Sequence, residues 1–300
     1  MEPRRAVPHG KTFAPLPSAG KWVAVALAVL FWVLGGWLFR LLPTLPIAGR
    51  TFWLGMTGLV CAALGLHFLY RAVALFRLRY AVTRNGVTVD WGAGVRRIPM
   101  GHITAIASAA GVPPYRPLGI PLPCWWPGRR RGIVYHATAP MDASLVVETA
   151  TERVVISPAG GEEFVRAWQV RASLGPTRRW LPGVEWRSVF AHPLLADAVG
   201  RRLLGGAAVL CLILVGGTMT AYPAWPPVIP IHFGALGQAL TIADKQQLLW
   251  IPAGGALVLG FNAALGLLWY RSNRLAAYLL WFTAMLVQVG LWVGVRMVVG

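Results

Sequence analysis

The sequence predicts a multi-pass α-helical membrane protein of about five transmembrane helices. A mainly-β domain, closed by one C-terminal helix, is inserted between the second and third. Three observations predict this. The apolar residues fall into five long blocks; a helix rises ~1.5 Å per residue, so ~20 apolar residues cross a bilayer core of ~30 Å. Only 13% of the 300 residues are charged, against roughly a quarter in soluble domains, and 56% are hydrophobic, with a mean hydropathy of +0.58. Between the second and third blocks the pattern changes to short alternating runs separated by turn residues, the period of strands.

The first span runs from about Trp22 to Leu42 and is ended by Pro43. Arg4 and Arg5 precede it, so a cleavable signal peptide is the alternative. The run is too long for an h-region and a second span follows directly, which favours a retained helix. The others are Phe52 to Phe76, Leu203 to Tyr222, Leu248 to Tyr270 and Leu275 to Val299. Orientation follows from the basic residues at their ends. Arg4, Arg5, Lys11 and Lys21 precede span one; Arg71, Arg77, Arg79 and Arg84 follow span two; Arg201 and Arg202 precede span three; Arg271 and Arg274 lie between spans four and five. The opposite segments hold Arg40 and Arg50, Lys245, and Arg296. The N-terminus and insert are therefore expected in the cytoplasm and Gly300 outside, in a bacterial plasma membrane. Trp22, Trp37, Trp53, Trp225, Trp250, Trp269 and Tyr270 lie near span ends, where amphipathic rings prefer the interface. Ala256, Gly260 and Ala264, and Gly290 with Gly294, recur at helix-packing spacing; packing within the chain is the first reading and a dimer face the second.

The net charge is +18. No nucleic-acid-binding motif accompanies it, and excess Arg more simply retains loops on the cytoplasmic side. Cys61 and Cys211 fall in apolar spans, and neither they nor Cys124 have CxxC or Cys/His spacing, so buried thiols are expected rather than a disulfide or zinc framework.

In the insert, Tyr80 to Thr83 lead into Asn85 and Gly86, a type I′ hairpin signal, and Val87 to Trp91 alternate beyond it. Arg97 to Met100 and Ile103 to Ile106 supply a strand pair or one bent strand, and Gly132 to Ala137 a further strand. Ser144 to Thr149 and Arg153 to Ser157 flank a short turn. Ser157 and Pro158 read as an N-cap and first helical position. The helix that follows carries Phe164, Val165, Trp168 and Ala172 as one apolar stripe, with Arg166 and Gln169 off it. Strands closed by one amphipathic helix describe a small barrel or sandwich of pleckstrin-homology type. On Tyr80 to Val87, Arg97 to Ile103, Val134 to Thr138, Ile156 to Pro158 and Glu162 to Val165, the segment from Leu78 to Ser173 resembles the bacterial PH-like domain of membrane proteins. That resemblance implies a fold and a cytoplasmic adaptor, with no catalytic residues.

Residues Gly111 to Arg131 form a Pro-rich loop carrying Trp125, Trp126, Arg129, Arg130 and Arg131. Two indoles beside three guanidiniums suit the headgroup layer, where each basic residue near an anionic surface contributes ~1 kcal/mol. A loop that packs its tryptophans and solvates its arginines fits equally well. From Val189 to Arg202, Phe190, Leu194, Leu195, Ala198 and Val199 beside Asp197, Arg201 and Arg202 predict a surface-lying amphipathic helix. The domain reading is a tail over 1–21, two spans over 22–77, the β-domain over 78–175, a linker and amphipathic helix over 176–202, and three spans over 203–300.

The segment Tyr222 to Lys245 carries Pro223, Pro226, Pro227 and Pro230, then His232, Phe233, Gly234 and Gly237. On Ile229 to Phe233, Gly237 with Gln238, Lys245, Pro252 and Asn262, it resembles a membrane-domain family of unknown function whose relatives include immunity and signalling proteins of the SdpI type. Leu240 stands where that family usually carries an acid. His232, Phe233, Gly237 and Lys245 are the candidate ligand-binding residues of this loop. One histidine with no second His or Cys is a poor metal site; His232 is read first as a structural hydrogen-bonder, then as a proton-responsive group. His67, Asn262 and Gln288 are read as interhelical hydrogen-bonders. No Asp or Glu lies within any span, which disfavours cation-coupled transport.

No G-x-S-x-G, Walker A, H-E-x-x-H, dinucleotide or EF-hand pattern occurs. No enzyme activity, catalytic residue, metal or cofactor is expected. The leading reading is a non-catalytic sensor, scaffold or regulator, whose candidate partners are the bilayer, a cytoplasmic protein bound by the PH-like domain, and a second copy of the chain. The alternative, suggested by the SdpI resemblance, is an immunity factor or a membrane factor handling a small solute or toxin.

Overall fold

The computed structural model describes residues 10–114, 128–130, 132–187, 192–233 and 239–299, and the backbone alone at 128–130, 230–233 and 239–243. Five of its helices are long and apolar enough to cross a membrane: α1 (Gly20–Leu41), α2 (Gly49–Arg77), α4 (Ala198–Ala221), α5 (Trp250–Trp269) and α6 (Arg274–Val299). The chain divides into two compact units, one of residues 1–32 and 63–191, the other of 33–62 and 192–300. Helices α1 and α2 contribute to both.

The first unit is built on two five-stranded sheets. Strands β1 (Lys11–Phe13), β2 (Arg79–Thr83), β3 (Gly86–Asp90), β4 (Gly94–Pro99) and β10 (Gly183–Trp186) form the first, in the order β1-β2-β3-β4-β10, all antiparallel. Strands β5 (Ile103–Ser108), β6 (Gly128–Arg130), β7 (Ile133–His136), β8 (Leu145–Thr149) and β9 (Arg153–Ile156) form the second, in the order β5-β8-β9-β7-β6, with β7 parallel to β9. Between the sheets lie Tyr80, Val82, Val87 and Val89 from one and Val134, Val147, Val154 and Ile156 from the other. Helix α3 (Gly161–Ser173) closes the end with Phe164. Tyr135, Val146 and Val155 are buried on the other face of the second sheet, under Ala109 and Val112. Burial on both faces explains why β8 and β9 read as unbroken valine runs rather than alternating ones.

Four details depart from the sequence reading. The two-residue turn between β2 and β3 is Arg84 and Asn85, because Thr83 pairs with Gly86. Gly86 is the first strand residue, at φ +149°, and a Cβ there would lie 2.1 Å from the Ile98 carbonyl oxygen. Ser157 does not cap α3. The helix starts after Gly160, which is left-handed at φ 77°, and the Ser157 hydroxyl is buried in the sheet junction. In α3, Phe164 and Ala167 are buried and Trp168 packs half-buried against the same core, while Ala172 is exposed, so the predicted stripe ends before it. Finally, the first sheet takes in strands from outside 78–175, since β1 precedes α1 and β10 follows α3.

In the second unit, α4, α5 and α6 pack with 33–62. No separate amphipathic helix covers Val189 to Arg202 in the described residues. Pro193 opens a 3-10 turn over Pro193–Ala196, and Asp197 then caps α4 directly, accepting from the amides of Val199 at 3.0 Å and Gly200 at 3.0 Å. The same carboxylate accepts the hydroxyls of Tyr270 at 2.6 Å and Tyr278 at 2.5 Å. Those two hydroxyls, Tyr270 first, hold it down at about 2. The helix therefore begins where its amides find an acceptor.

Close helix contacts fall on other glycines than the small-residue rows. A Cβ on Gly255 would lie 2.7 Å from Gln288 Oε1 and one on Gly266 2.4 Å from the Trp281 indole, whereas Gly260, Gly290 and Gly294 face open space. The rows are therefore not the packing face of this bundle. Gln288 bridges helices as expected, its Nε2 donating to the Gly255 carbonyl at 2.7 Å. His67 meets Arg71 one turn along its own helix, at 3.5 Å. Cys61 and Cys211 are free, buried thiols.

Candidate functional site at the junction of the sheets with α1 and α2

Because Lys11–Phe13 pair with Tyr80–Val82, the entry to α1 and the exit from α2 belong to one sheet. Any bilayer crossed by both helices has Lys11 and the β-domain on the same face. Helices α1 and α2 run side by side there, with Trp22 edge-on to Phe76 at 5.5 Å and Phe31 stacked on Phe68 at 5.7 Å.

Residues Ala14 to Ser18 form a strap from β1 to α1, and three backbone groups tie it down. The Leu16 amide donates to the Ser157 carbonyl at 2.8 Å, the Ala159 amide donates to the Ala14 carbonyl at 2.8 Å, and the Leu16 carbonyl accepts the Thr138 hydroxyl at 2.7 Å. Two prolines, Pro15 and Pro158, face one another in a bridge. Extended, proline-bounded backbone leaves these polar groups no helical partner, so they satisfy themselves on the sheets.

Beneath the strap lies a buried polar network. The Ser157 Oγ accepts the Thr138 amide at 2.6 Å and lies 2.9 Å from the Thr138 hydroxyl. The Tyr80 hydroxyl donates to the His136 carbonyl at 2.6 Å and accepts the Ser157 amide at 3.3 Å. Burial pushes that hydroxyl up to about 12, so it stays a donor. The His136 imidazole stacks on Trp91, 4.9 Å between centroids, and its Nε2 is buried without a partner among the described residues. Burial, with nearby Arg96 adding to it, pulls that imidazole down to about 3. Arg96 pairs with Glu152 at 2.5 Å.

The strap also forms one wall of a cleft of about 500 Å³, whose other walls come from Lys21, Leu75, Phe76, Arg79 and Thr138. Lys21 Nζ lies 5.4 Å from the Phe76 ring, and no acid pairs with Lys21 or Arg79 among the described residues. Lys21, over the exposed rings of Trp22 and Phe76, and Arg79 on the same cleft can hold an anionic group; among the described residues lining it, nothing joins a nucleophile to a base.

The sequence-predicted residues lie elsewhere. Trp125, Trp126, Arg131 and Gly237 fall outside the described residues. Arg129 and Arg130 are in β6, on the edge of the second sheet, opposite Val134 and Ile133. His232 and Phe233 are in β11 (Val228–Phe233), opposite Thr241 and Ala239 of β12 (Ala239–Asp244), with a register shift on either side of His232. Lys245 follows the hairpin. Its ammonium faces the carbonyls of Tyr222 at 3.5 Å and Trp225 at 3.4 Å and lies 4.7 Å from the Tyr222 ring. The strap network was missed because its residues lie far apart in sequence and because Ser157 and Pro158 also look like a helix start.

Against known proteins, the family model of a bacterial PH domain matches residues 78–172. The β-domain is thus PH-like over that segment, whereas β1, the strap and β10 lie outside it. No curated protein and no solved structure matches the chain.

Proposed function

We propose that this chain is a non-catalytic integral membrane protein in which the PH-like domain works as a cytoplasmic sensor or scaffold coupled to the helices. One observation carries the reading: both ends of the α1–α2 hairpin are built into the domain, through β1 on β2 and through the strap on Ser157 and Thr138. A partner protein that repacks the sheet junction displaces the entry to α1 with it. The charge distribution supports an inside N-terminus and β-domain and an outside C-terminus.

The test uses the full chain in detergent. Pull-down before and after deletion of Leu78–Ser173 should lose a specific cytoplasmic partner, and Thr138→Val should weaken its recovery while leaving expression intact. Recovery of the same proteins with the deletion rejects the reading. A reporter active only in the cytosol, fused at Ala150, should be active. Trp125, Trp126, Arg129, Arg130 and Arg131 are proposed to hold the domain against anionic lipid. Unchanged retention of phosphatidylserine by full-length Arg129→Glu/Arg131→Glu would count against that.

A second reading, an SdpI-like immunity or small-solute factor, is favoured by the β11–β12 hairpin. Its base is anchored by the Lys245 amide on the Pro227 carbonyl at 3.1 Å and by the Lys245 ammonium on the Tyr222 turn. Under that reading His232, Phe233 and Gly237 present the ligand-binding surface, and the phenotype survives deletion of the PH-like domain.

A further inference from the structure

The cleft walled by the strap lies where α1 begins and α2 ends, and its walls are of two kinds. On the helix side stand Leu75 and Phe76 from the last turn of α2 and Lys21 from the first turn of α1. Phe76 is 50% exposed, and Trp22, which meets it edge-on, is 63% exposed. Val73, one turn back along α2, continues that apolar surface at 43%. On the domain side stand the strap and Arg79, the first residue of β2. Aromatic rings at the end of a span prefer the interface between lipid and water. A lysine whose stem crosses such rings carries its ammonium to the polar side. Lys21 is placed this way, its Nζ 5.4 Å from the Phe76 ring and 6.0 Å from that of Trp22. For any bilayer that the two helices cross, the cleft therefore opens at headgroup height.

The charged residues that line it among those described, Lys21 and Arg79, are both cations, from different elements. Glu163 offers them nothing, being paired with Lys11. Helix α1 adds the positive end of its dipole. Its first turn holds no acid, and its Gly20 amide donates to the neutral Ser18 hydroxyl at 3.1 Å. By contrast α3 opens on Glu162 and Glu163, and α4 on the Asp197 carboxylate. Two cations and a helix start around one concave site, with no counter-charge among the described residues, call for an anion from outside the chain. From this arrangement we infer that the cleft seats the headgroup of one anionic phospholipid, its phosphate between Lys21 and Arg79 and its acyl chains along the exposed face of Trp22, Val73 and Phe76. The volume of about 500 Å³ falls within the ~300–1,000 Å³ of small-molecule sites. The walls join basic groups to an exposed apolar face, as a phospholipid joins a phosphate to its chains; a soluble anion would use the basic half alone. Once seated, the lipid links α1 to β2 beside the strap that links them through the backbone. The inference rests on the reading of α1 and α2 as membrane spans.

The test uses the full chain in nanodiscs of phosphatidylcholine, alone or mixed with phosphatidylglycerol. Phosphatidylglycerol should raise the wild-type thermal midpoint. Native mass spectrometry of chain extracted from the mixture should show phosphatidylglycerol kept in preference to phosphatidylcholine. Lys21→Gln and Arg79→Gln should each lower that preference about fivefold, the share of one basic residue beside an anionic lipid, and the double variant should lose the midpoint shift. In phosphatidylcholine alone the double variant should melt with the wild type, because neither cation has a carboxylate partner to lose among the described residues. A lower midpoint there would make the two cations structural and overturn the inference. Lys21→Arg/Arg79→Lys keeps both charges and should keep the preference. Arg271→Gln/Arg274→Gln removes two cations from the turn between α5 and α6 and should leave it intact; an equal loss there would reduce the effect to net charge and overturn the site. Glycerol 3-phosphate that raises the midpoint in phosphatidylcholine as far as phosphatidylglycerol does would make the occupant a soluble phosphoester and overturn the lipid assignment. No preference for phosphatidylglycerol in a chain that resists carbonate extraction overturns this inference alone; release of the chain by carbonate overturns the membrane reading with it.

Discussion

Acidification from pH 7.5 to pH 5 should loosen the PH-like domain through one side chain, His136. Its ring is stacked on Trp91, its Nε2 is buried without a partner among the described residues, and burial first, then Arg96, pulls it down to about 3. In the unfolded chain the imidazole takes a proton near pH 6.5. Between those values the unfolded state binds a proton that the folded state refuses. The stability is therefore fully present above pH 6.5 and falls as pH drops toward 3. At pH 5 the gap is 1.5 pH units below the unfolded value, at 1.36 kcal/mol each, or about 2 kcal/mol. That figure depends only on the folded ring staying neutral at pH 5. Hydrogen exchange of the peptides covering β7 and β9, corrected for the intrinsic pH dependence of exchange, should show about 30-fold less protection at pH 5, the equivalent of that free energy. His136→Phe keeps an aromatic ring against Trp91 and removes the proton site, so its protection should change far less between the two pH values. Equal protection of the wild type at both pH values, or the same loss in His136→Phe, would refute the reasoning.

Four other outcomes are expected. Gly86→Ala drives a Cβ to 2.1 Å from the Ile98 carbonyl oxygen at φ +149° and should cost about 3 kcal/mol or more, read as a lower denaturation midpoint of the β-domain. The Asn85 Oδ1 accepts the Thr177 amide at 2.9 Å, the Thr177 hydroxyl at 2.8 Å and the Arg178 amide at 2.8 Å. Asn85→Ala should cost roughly 1–3 kcal/mol and speed tryptic cleavage at Arg178 and Arg179. In the helices, Gln288→Leu removes one interhelical bond and one oxygen without a partner among the described residues and should change stability by less than about 1 kcal/mol. Gly255→Ala, which places a methyl 2.7 Å from Gln288 Oε1 and 3.0 Å from Leu214, should lower the thermal midpoint clearly more.

The long helices were legible because each is a local fact. A block of apolar residues ended by Pro43 or flanked by Arg271 and Arg274 needs no distant partner to be recognised, and α1, α2, α4, α5 and α6 begin and end within a few residues of the sequence-derived limits. The strands of the PH-like domain were legible for the same reason, through period and turn residues. Misreadings came where a residue had two local uses. Asn85 and Gly86 read as the turn pair, yet register on β4 makes Gly86 a strand residue. Ser157 and Pro158 read as a helix start, yet the hydroxyl is taken by Thr138 and the proline by Pro15.

Composition and periodicity by themselves determined five apolar helices and a β-domain between the second and third. Only the tertiary structure decided that Lys11–Phe13 and Gly183–Trp186 complete the domain's first sheet, that the strap ties α1 to it, and that Lys21 and Arg79 share a cleft. The physical reason is range. Hydrophobic blocks and turn residues act over one or two turns of chain, whereas strand pairing and buried hydrogen bonds join residues separated by tens to more than a hundred positions, which no local pattern encodes.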